Sequence, residues 1–231
     1  MNRTELFAAV RPFAPGQKLT PEMVTMIDDL GDRFGLPRVG TVPAGGPVTM
    51  KVAMETVSHE AIVLEAYLDS EKVWTWSVGL TAASGVDPLA YKDKPAPLSA
   101  CLSAYVDRLR NKYAPEVVKA FTGASLTEAQ FAAALSFHWN TGAIGRTDWV
   151  TLFLAGKQRE ARAFLETHYL NGGDLKERRM REAALFFDGK WTQGSTVAVV
   201  PVSKPSYQPN FRQAKQVNIT ADLALAMGAA A

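Results

Sequence analysis

The sequence predicts an α+β fold, mostly helical, with a small β-sheet lobe. Three observations carry this. Apolar residues recur at helical spacing from Leu98 to Phe121, with Leu102, Tyr105, Val106, Leu109 and Tyr113 as one stripe. Three further helical segments follow, Thr147 to Leu154, Gln158 to His168 and Leu175 to Phe187, separated by AGK and NGGD. Upstream, Leu64 to Asp69 is extended, Glu71-Lys72 turns, and Lys72 to Val78 alternates as a strand. Of the 231 residues, 47% are hydrophobic and 21% charged, a globular rather than a disordered composition.

The first 50 residues read as an N-terminal helical extension. Asn2 caps a helix that ends near Pro12, and Thr20 caps a second with Pro21 as its first residue. Met23, Met26, Ile27, Leu30 and Phe34 give the second helix an apolar face. Pro37 to Pro47 reads as a linker. Residues 51–190 read as the catalytic domain, beginning with a helix from Val52 to Ala61 that carries His59 and Glu60 near its end. Ala114-Pro115 kinks or divides the long helix. Ser125 to Glu128 caps the helix holding Phe131 to His138, which runs into the breakers Trp139 to Gly142. Residues 191–231 form a C-terminal extension, β-like at Ser195 to Val202 and helical at Ala221 to Met227. Both flanks are expected to pack on the helical lobe.

Composition narrows the function classes. A net charge of +2 is too small to argue for nucleic acid. Cys101 is the only cysteine, so no intramolecular disulfide forms. No run approaches the ~18 apolar residues of a membrane span. The N-terminus lacks the apolar core of a signal peptide, so synthesis in the cytoplasm without one is the expectation. The histidines show no ligand spacing, and neither a metal nor a cofactor is expected.

The chemistry concentrates between Val57 and Thr81. Glu60 and Asp69 are separated by eight residues, and Asp69 and Thr75 by five. Such a pair could serve glycoside hydrolysis, which canonically places two carboxyl groups about one scissile bond, one of them protonating the leaving oxygen. Val57, Ile62 and Val63 would desolvate Glu60. A hydroxyl at Thr75 can donate to Asp69 or hold a water. Taken alone, Glu60 is a surface charge, Asp69 opens a turn with Ser70, and Thr75 is an ordinary strand residue.

This spacing, with Ala-Tyr-Leu-Asp and Val-Trp-Thr inside it, resembles the phage lysozymes of glycoside hydrolase family 24. Leu135 to Gly142 is similar to the family's Ser-Phe-x-x-Asn-x-Gly segment, and Arg178-Arg179 with Glu182 to its Arg-Arg-x-x-Glu helix. The resemblance covers roughly residues 52–190. It implies a lysozyme-like α+β fold, with a small antiparallel β-sheet lobe and a cleft between the lobes, and hydrolysis of the β-1,4 bond between N-acetylmuramic acid and N-acetylglucosamine in peptidoglycan. It makes Glu60 the acid, with Asp69 and Thr75 positioning water. Trp139, Asn140 and Arg178 become substrate-cleft residues, with Arg179 a competitor of Arg178 for that place. It implies a monomeric endolysin that reaches the periplasmic wall through a holin lesion. Glu65 does not align with a catalytic position and is expected to face solvent. His59 is expected to serve the helix end. Ala61 replaces the usual Gly after the acid, and Ser77 to Thr81 lacks the histidine of the common Gly-Tyr-Gly-His-Thr. A lytic transglycosylase, which needs no partner for Glu60, is the second reading; a non-catalytic wall-binding or virion module is the third.

Overall fold

The computed structural model describes residues 3–33, 48–192 and 194–228. The expected Asn2 cap, Phe34 and the linker from Pro37 to Pro47 lie outside them.

The N-terminal extension forms α1 (Arg3–Val10) and α2 (Pro21–Arg33), with Thr20 Oγ1 accepting from the Met23 backbone N–H. Ile27 is buried, but Met26 and Leu30 are exposed, so α2 hides only part of its apolar stripe. The domain proper opens with α3 (Met50–Val57), capped by Thr49, whose Oγ1 accepts from Val52 N at 3.1 Å. That helix ends sooner than its composition suggests. Ser58 Oγ closes on the Glu55 carbonyl at 2.7 Å, and Glu60 N bonds Val57 O at 3.0 Å. Ala61 therefore opens strand β1 (Ala61–Leu68) instead of ending the helix, and Glu60 occupies the junction.

Strands β2 (Trp74–Ser77) and β3 (Leu80–Thr81) follow, β2 antiparallel to β1 and β3 antiparallel to β2. Then α4 (Leu98–Arg108) runs through a π turn (Leu109–Tyr113) into α5 (Ala114–Ala120). The π turn sits just ahead of Pro115, where the ring lacks an N–H and crowds the carbonyl four residues back. The expected division at Ala114-Pro115 is thus a local rewinding, not a break.

Helix α6 (Glu128–Thr141) is the axis of the helical lobe. Thr127 and Gln130 form a reciprocal capping box, and Gly142 ends it in the left-handed region at φ 59°. Every residue from Phe131 to His138 is buried, the mark of a helix covered on all sides. Helices α7 (Asp148–Leu154), α8 (Gln158–Thr167) and α9 (Lys176–Asp188) complete the lobe, with α9 packed on α6 and α8. Burial holds the Cys101 thiol up at about 11, so it is protonated and unreactive near neutrality.

The C-terminal residues return to the sheet. Strand β4 (Thr196–Val199) pairs in parallel with β1, Ala61 opposite Ala198, and β7 (Lys215–Asn218) pairs antiparallel with β4. The order is β3-β2-β1-β4-β7, antiparallel-rich with one parallel step. Between them lies a two-stranded ribbon, β5 (Val202–Ser203) with β6 (Gln208–Pro209). Helix α10 (Thr220–Ala226) then packs on α4 and α3 through buried Leu223.

Glu55 locks this return to the end of α3. It is buried, lies 3.3 Å from His59 Nε2, and accepts from Thr192 N at 2.9 Å and Thr192 Oγ1 at 2.8 Å. His59 thus serves the helix end, as expected. Burial works against the Glu55 charge, but the His59 and Thr192 bonds outweigh it and hold the pKa below its ordinary 4.5. A carboxyl depressed by folding contributes stability above its unfolded value and loses it as pH falls through the folded value. Thermal melts between about pH 3 and pH 7 should show the parent losing more stability below pH 4.5 than Glu55→Gln does. Parallel curves for the two proteins would contradict the assignment.

Candidate active site

Glu60 is gripped from both sides of the chain: its N–H closes the end of α3, and its successor Ala61 is paired in the sheet. Its side chain, 21% exposed, meets α9. Arg178 Nη1 donates to Glu60 Oε1 at 2.6 Å. Oε2 has no hydrogen-bond partner among the described residues. The desolvation expected from Val57, Ile62 and Val63 is therefore accompanied by a guanidinium.

That guanidinium is itself held from behind. Arg178 Nε donates to Glu182 Oε1 at 3.1 Å, and Nη2 to the Ser136 carbonyl at 3.1 Å. Ser136 Oγ donates to Glu182 Oε1 at 2.7 Å, and Arg179 Nη1 takes Glu182 Oε2. Burial opposes the Arg178 charge, but Glu60 and Glu182 outweigh it and keep its pKa above the ordinary arginine value. Both arginines are buried, and so is Glu182. Arg178 is the one that reaches Glu60. Arg179 turns to Asn140 Oδ1 and lies over the Phe137 ring, 5.1 Å from its centroid.

Asp69 sits at the far end of β1. Its Oδ1 accepts from Glu71 N at 2.9 Å and Val73 N at 2.8 Å, the turn that its bland reading foresaw. Its Oδ2 faces Thr75 Oγ1 at 3.3 Å, a hydroxyl that also lies 3.1 Å from Val73 O. Thr75 is buried on β2, opposite Tyr67. The structural role and the pairing suggested by the spacing coexist.

Glu60 and Asp69 line one cleft of about 460 Å³, within the size range of ligand sites. Tyr67 lies on its wall between them, a residue the sequence reading did not single out. Burial pushes its phenol pKa up, and the charges of Glu60 and Asp69 push it further, so the hydroxyl keeps its proton. Its offset of two from Asp69 on a strand was the available signal. Gln208, Pro209 and Phe211 of the C-terminal segment line the same cleft, and no motif pointed to them. Trp139 and Asn140 do not line it. Trp139 is half-buried, 5.1 Å from the Tyr105 ring and 4.7 Å from that of Tyr113, and the exposed Asn140 carries Arg179 on its carbonyl oxygen.

Glu65 is not solvent-facing. Its side chain is 15% exposed and ion-paired to Lys204 Nζ at 2.9 Å. It falls in the interval between Val63 and Tyr67 where the β1–β2 register shifts.

Removing Glu182 would leave the buried Arg179 without its ion-pair partner and the buried Arg178 with Glu60 alone among the described residues. Breaking a buried pair in this way costs about 3–5 kcal/mol. Glu182→Ala should lower stability by roughly that amount in denaturant unfolding. A variant as stable as the parent would show that the cluster is not holding α9 to α6.

Residues 57–182 match the phage lysozyme family. No curated protein matches the chain significantly. Among solved structures, the chain is similar to the endolysin of Escherichia coli O157:H7 phage FAHEc1, at 22% identity and TM-score 0.49, over 63% of this chain and 96% of that one. It is also similar to the muramidase domain of SpmX from Asticaccaulis excentricus, at 21% identity and TM-score 0.48, over 61% of this chain and 97% of that one. The match over 57–182 spans Glu60, Asp69, Thr75, Arg178 and Glu182, more than half of the chain, and places it in the phage lysozyme family.

Proposed function

We infer that the protein is a peptidoglycan hydrolase of the family 24 type, an endolysin cleaving the β-1,4 bond from N-acetylmuramic acid to N-acetylglucosamine. The observation that carries this reading is that Glu60 and Asp69 line one cleft, Glu60 with Oε2 unbonded among the described residues and Asp69 with Oδ2 met only by the Thr75 hydroxyl there. Arg178 occupies Glu60 Oε1, which leaves Oε2 to carry the proton. Asp69 Oδ1 is spent on its turn, so Oδ2, beside Thr75 Oγ1, is the oxygen for water.

In the proposed step, Glu60 Oε2–H gives its proton to the glycosidic oxygen as the bond to the anomeric carbon breaks. A water held by Asp69 Oδ2 attacks that carbon and loses its proton to Asp69. Thr75 fixes the carboxylate, and Tyr67, kept neutral, supplies a donor on the cleft wall. Access to the wall through a holin lesion follows from the endolysin reading.

Purified peptidoglycan digested with the parent and with Glu60→Gln, followed by mass analysis, tests the proposal. The parent should release reducing muramic ends, and the variant should lose about 10²–10⁴-fold in rate, the usual weight of a general acid. Anhydro ends would move the reaction to transglycosylation and leave Asp69 without its water. No products from a folded parent would favour a binding module.

A further inference from the structure

The cleft has a wall that the family match does not cover. Gln208, Pro209 and Phe211 lie beyond residue 182, yet they line the same cleft as Glu60 and Asp69. Phe211 is 66% exposed, a large aromatic ring left uncovered beside two carboxylates. Gln208, also exposed, brings an amide to the same wall.

This wall is firmly mounted. Leu68 N donates to Tyr207 O at 2.7 Å, which ties the ribbon to β1 one residue before Asp69. The Tyr207 ring packs edge-on against Trp74 at 5.2 Å, and its hydroxyl donates to Asp93 Oδ2 at 2.9 Å. Lys204 bridges Glu65 and Asp93. After the ribbon, Asn210 N bonds Pro201 O at 2.8 Å, and Gln213 N bonds Asn210 O at 3.0 Å. These bonds bracket Phe211, so its backbone is in place before any ligand arrives, and binding loses less to ordering.

Resting on the hydrolase reading above, we propose that Phe211 and Gln208 form a sugar subsite of the cleft, supplied by the C-terminal segment. The ligand is the N-acetylhexosamine backbone of the glycan strand. One face of a pyranose ring is a patch of C–H groups, which an exposed phenyl ring covers with apolar contact. The Gln208 amide can both donate to and accept from an N-acetyl group or a hydroxyl. An apolar wall with a few placed polar groups is the usual make-up of a ligand site. In this arrangement the C-terminal segment determines how tightly the strand is held, while Glu60 and Asp69 act on the bond.

The test compares the parent, Phe211→Ala, Phe211→Trp and Gln208→Ala in peptidoglycan hydrolysis. It also compares the sedimentation binding of Glu60→Gln to peptidoglycan with and without Phe211→Ala. Loss of one aromatic contact is worth about 0.5–1.5 kcal/mol, so Phe211→Ala should weaken binding and raise KM by roughly 2–12-fold. Phe211→Trp should restore both, and Gln208→Ala should raise KM in the same direction. Melting temperatures should match the parent's, since both side chains are exposed.

An unchanged KM and unchanged binding for Phe211→Ala, in a parent that hydrolyses peptidoglycan, would overturn the subsite and leave the hydrolase reading intact. A parent that binds without hydrolysing, with binding weakened by Phe211→Ala, would do the reverse. A rise in turnover for Phe211→Ala would make the segment an obstructing strap and overturn the subsite. So would a parent that neither binds nor hydrolyses.

Discussion

Glu182 holds the site together. Its carboxylate is wholly buried and is shared by Arg178, Arg179 and Ser136, joining α9 to α6 in the middle of the helical lobe. Burying that many charges is costly unless each finds a partner, and here the Ser136 carbonyl takes Arg178 Nη2 and Asn140 takes Arg179 Nη2, while Arg179 Nε has no partner among the described residues. Such a cluster tolerates few alternative arrangements, so the packing of α9 on α6 sets where Arg178 points. Arg178 in turn sets Glu60. The position of the Glu60 carboxylate at the edge of the sheet lobe is thus tied to a charge balance inside the other lobe.

Local signals in the sequence were accurate where the physics is local. The helix-capping pattern ahead of Phe131 is the Thr127–Gln130 box, and Pro115 forces the π turn before it. Asp69 reads as a turn residue and is one. The end of α3 was misjudged because Ser58 to Glu60 contains neither Gly nor Pro. There the chain leaves the helix on side-chain and backbone bonds that composition does not announce.

What could not be read is what depends on distant partners. Arg178 and Arg179 carry no local mark of burial, since the groups that neutralise and cap them include Ser136 and Asn140, far back in the chain. Glu65 is half-buried and finds its counter-charge in Lys204, far along the chain. The parallel pairing of Ala61 with Ala198 has no sequence signature, yet it steadies the residue next to Glu60 and carries the ribbon to the cleft. The resemblance supplied Glu60, Asp69 and Arg178. Only the three-dimensional closure of the sheet supplied Phe211.

The central claim is that Arg178 acts through Glu60. A double-mutant cycle in peptidoglycan hydrolysis tests it most directly, using Arg178→Gln, Glu60→Gln and the combination, each with unfolding measured alongside. The account predicts that Arg178→Gln slows the parent but causes little further loss once Glu60 is Gln. Fully additive losses, in variants that remain folded, would show that the two residues act independently and would contradict it.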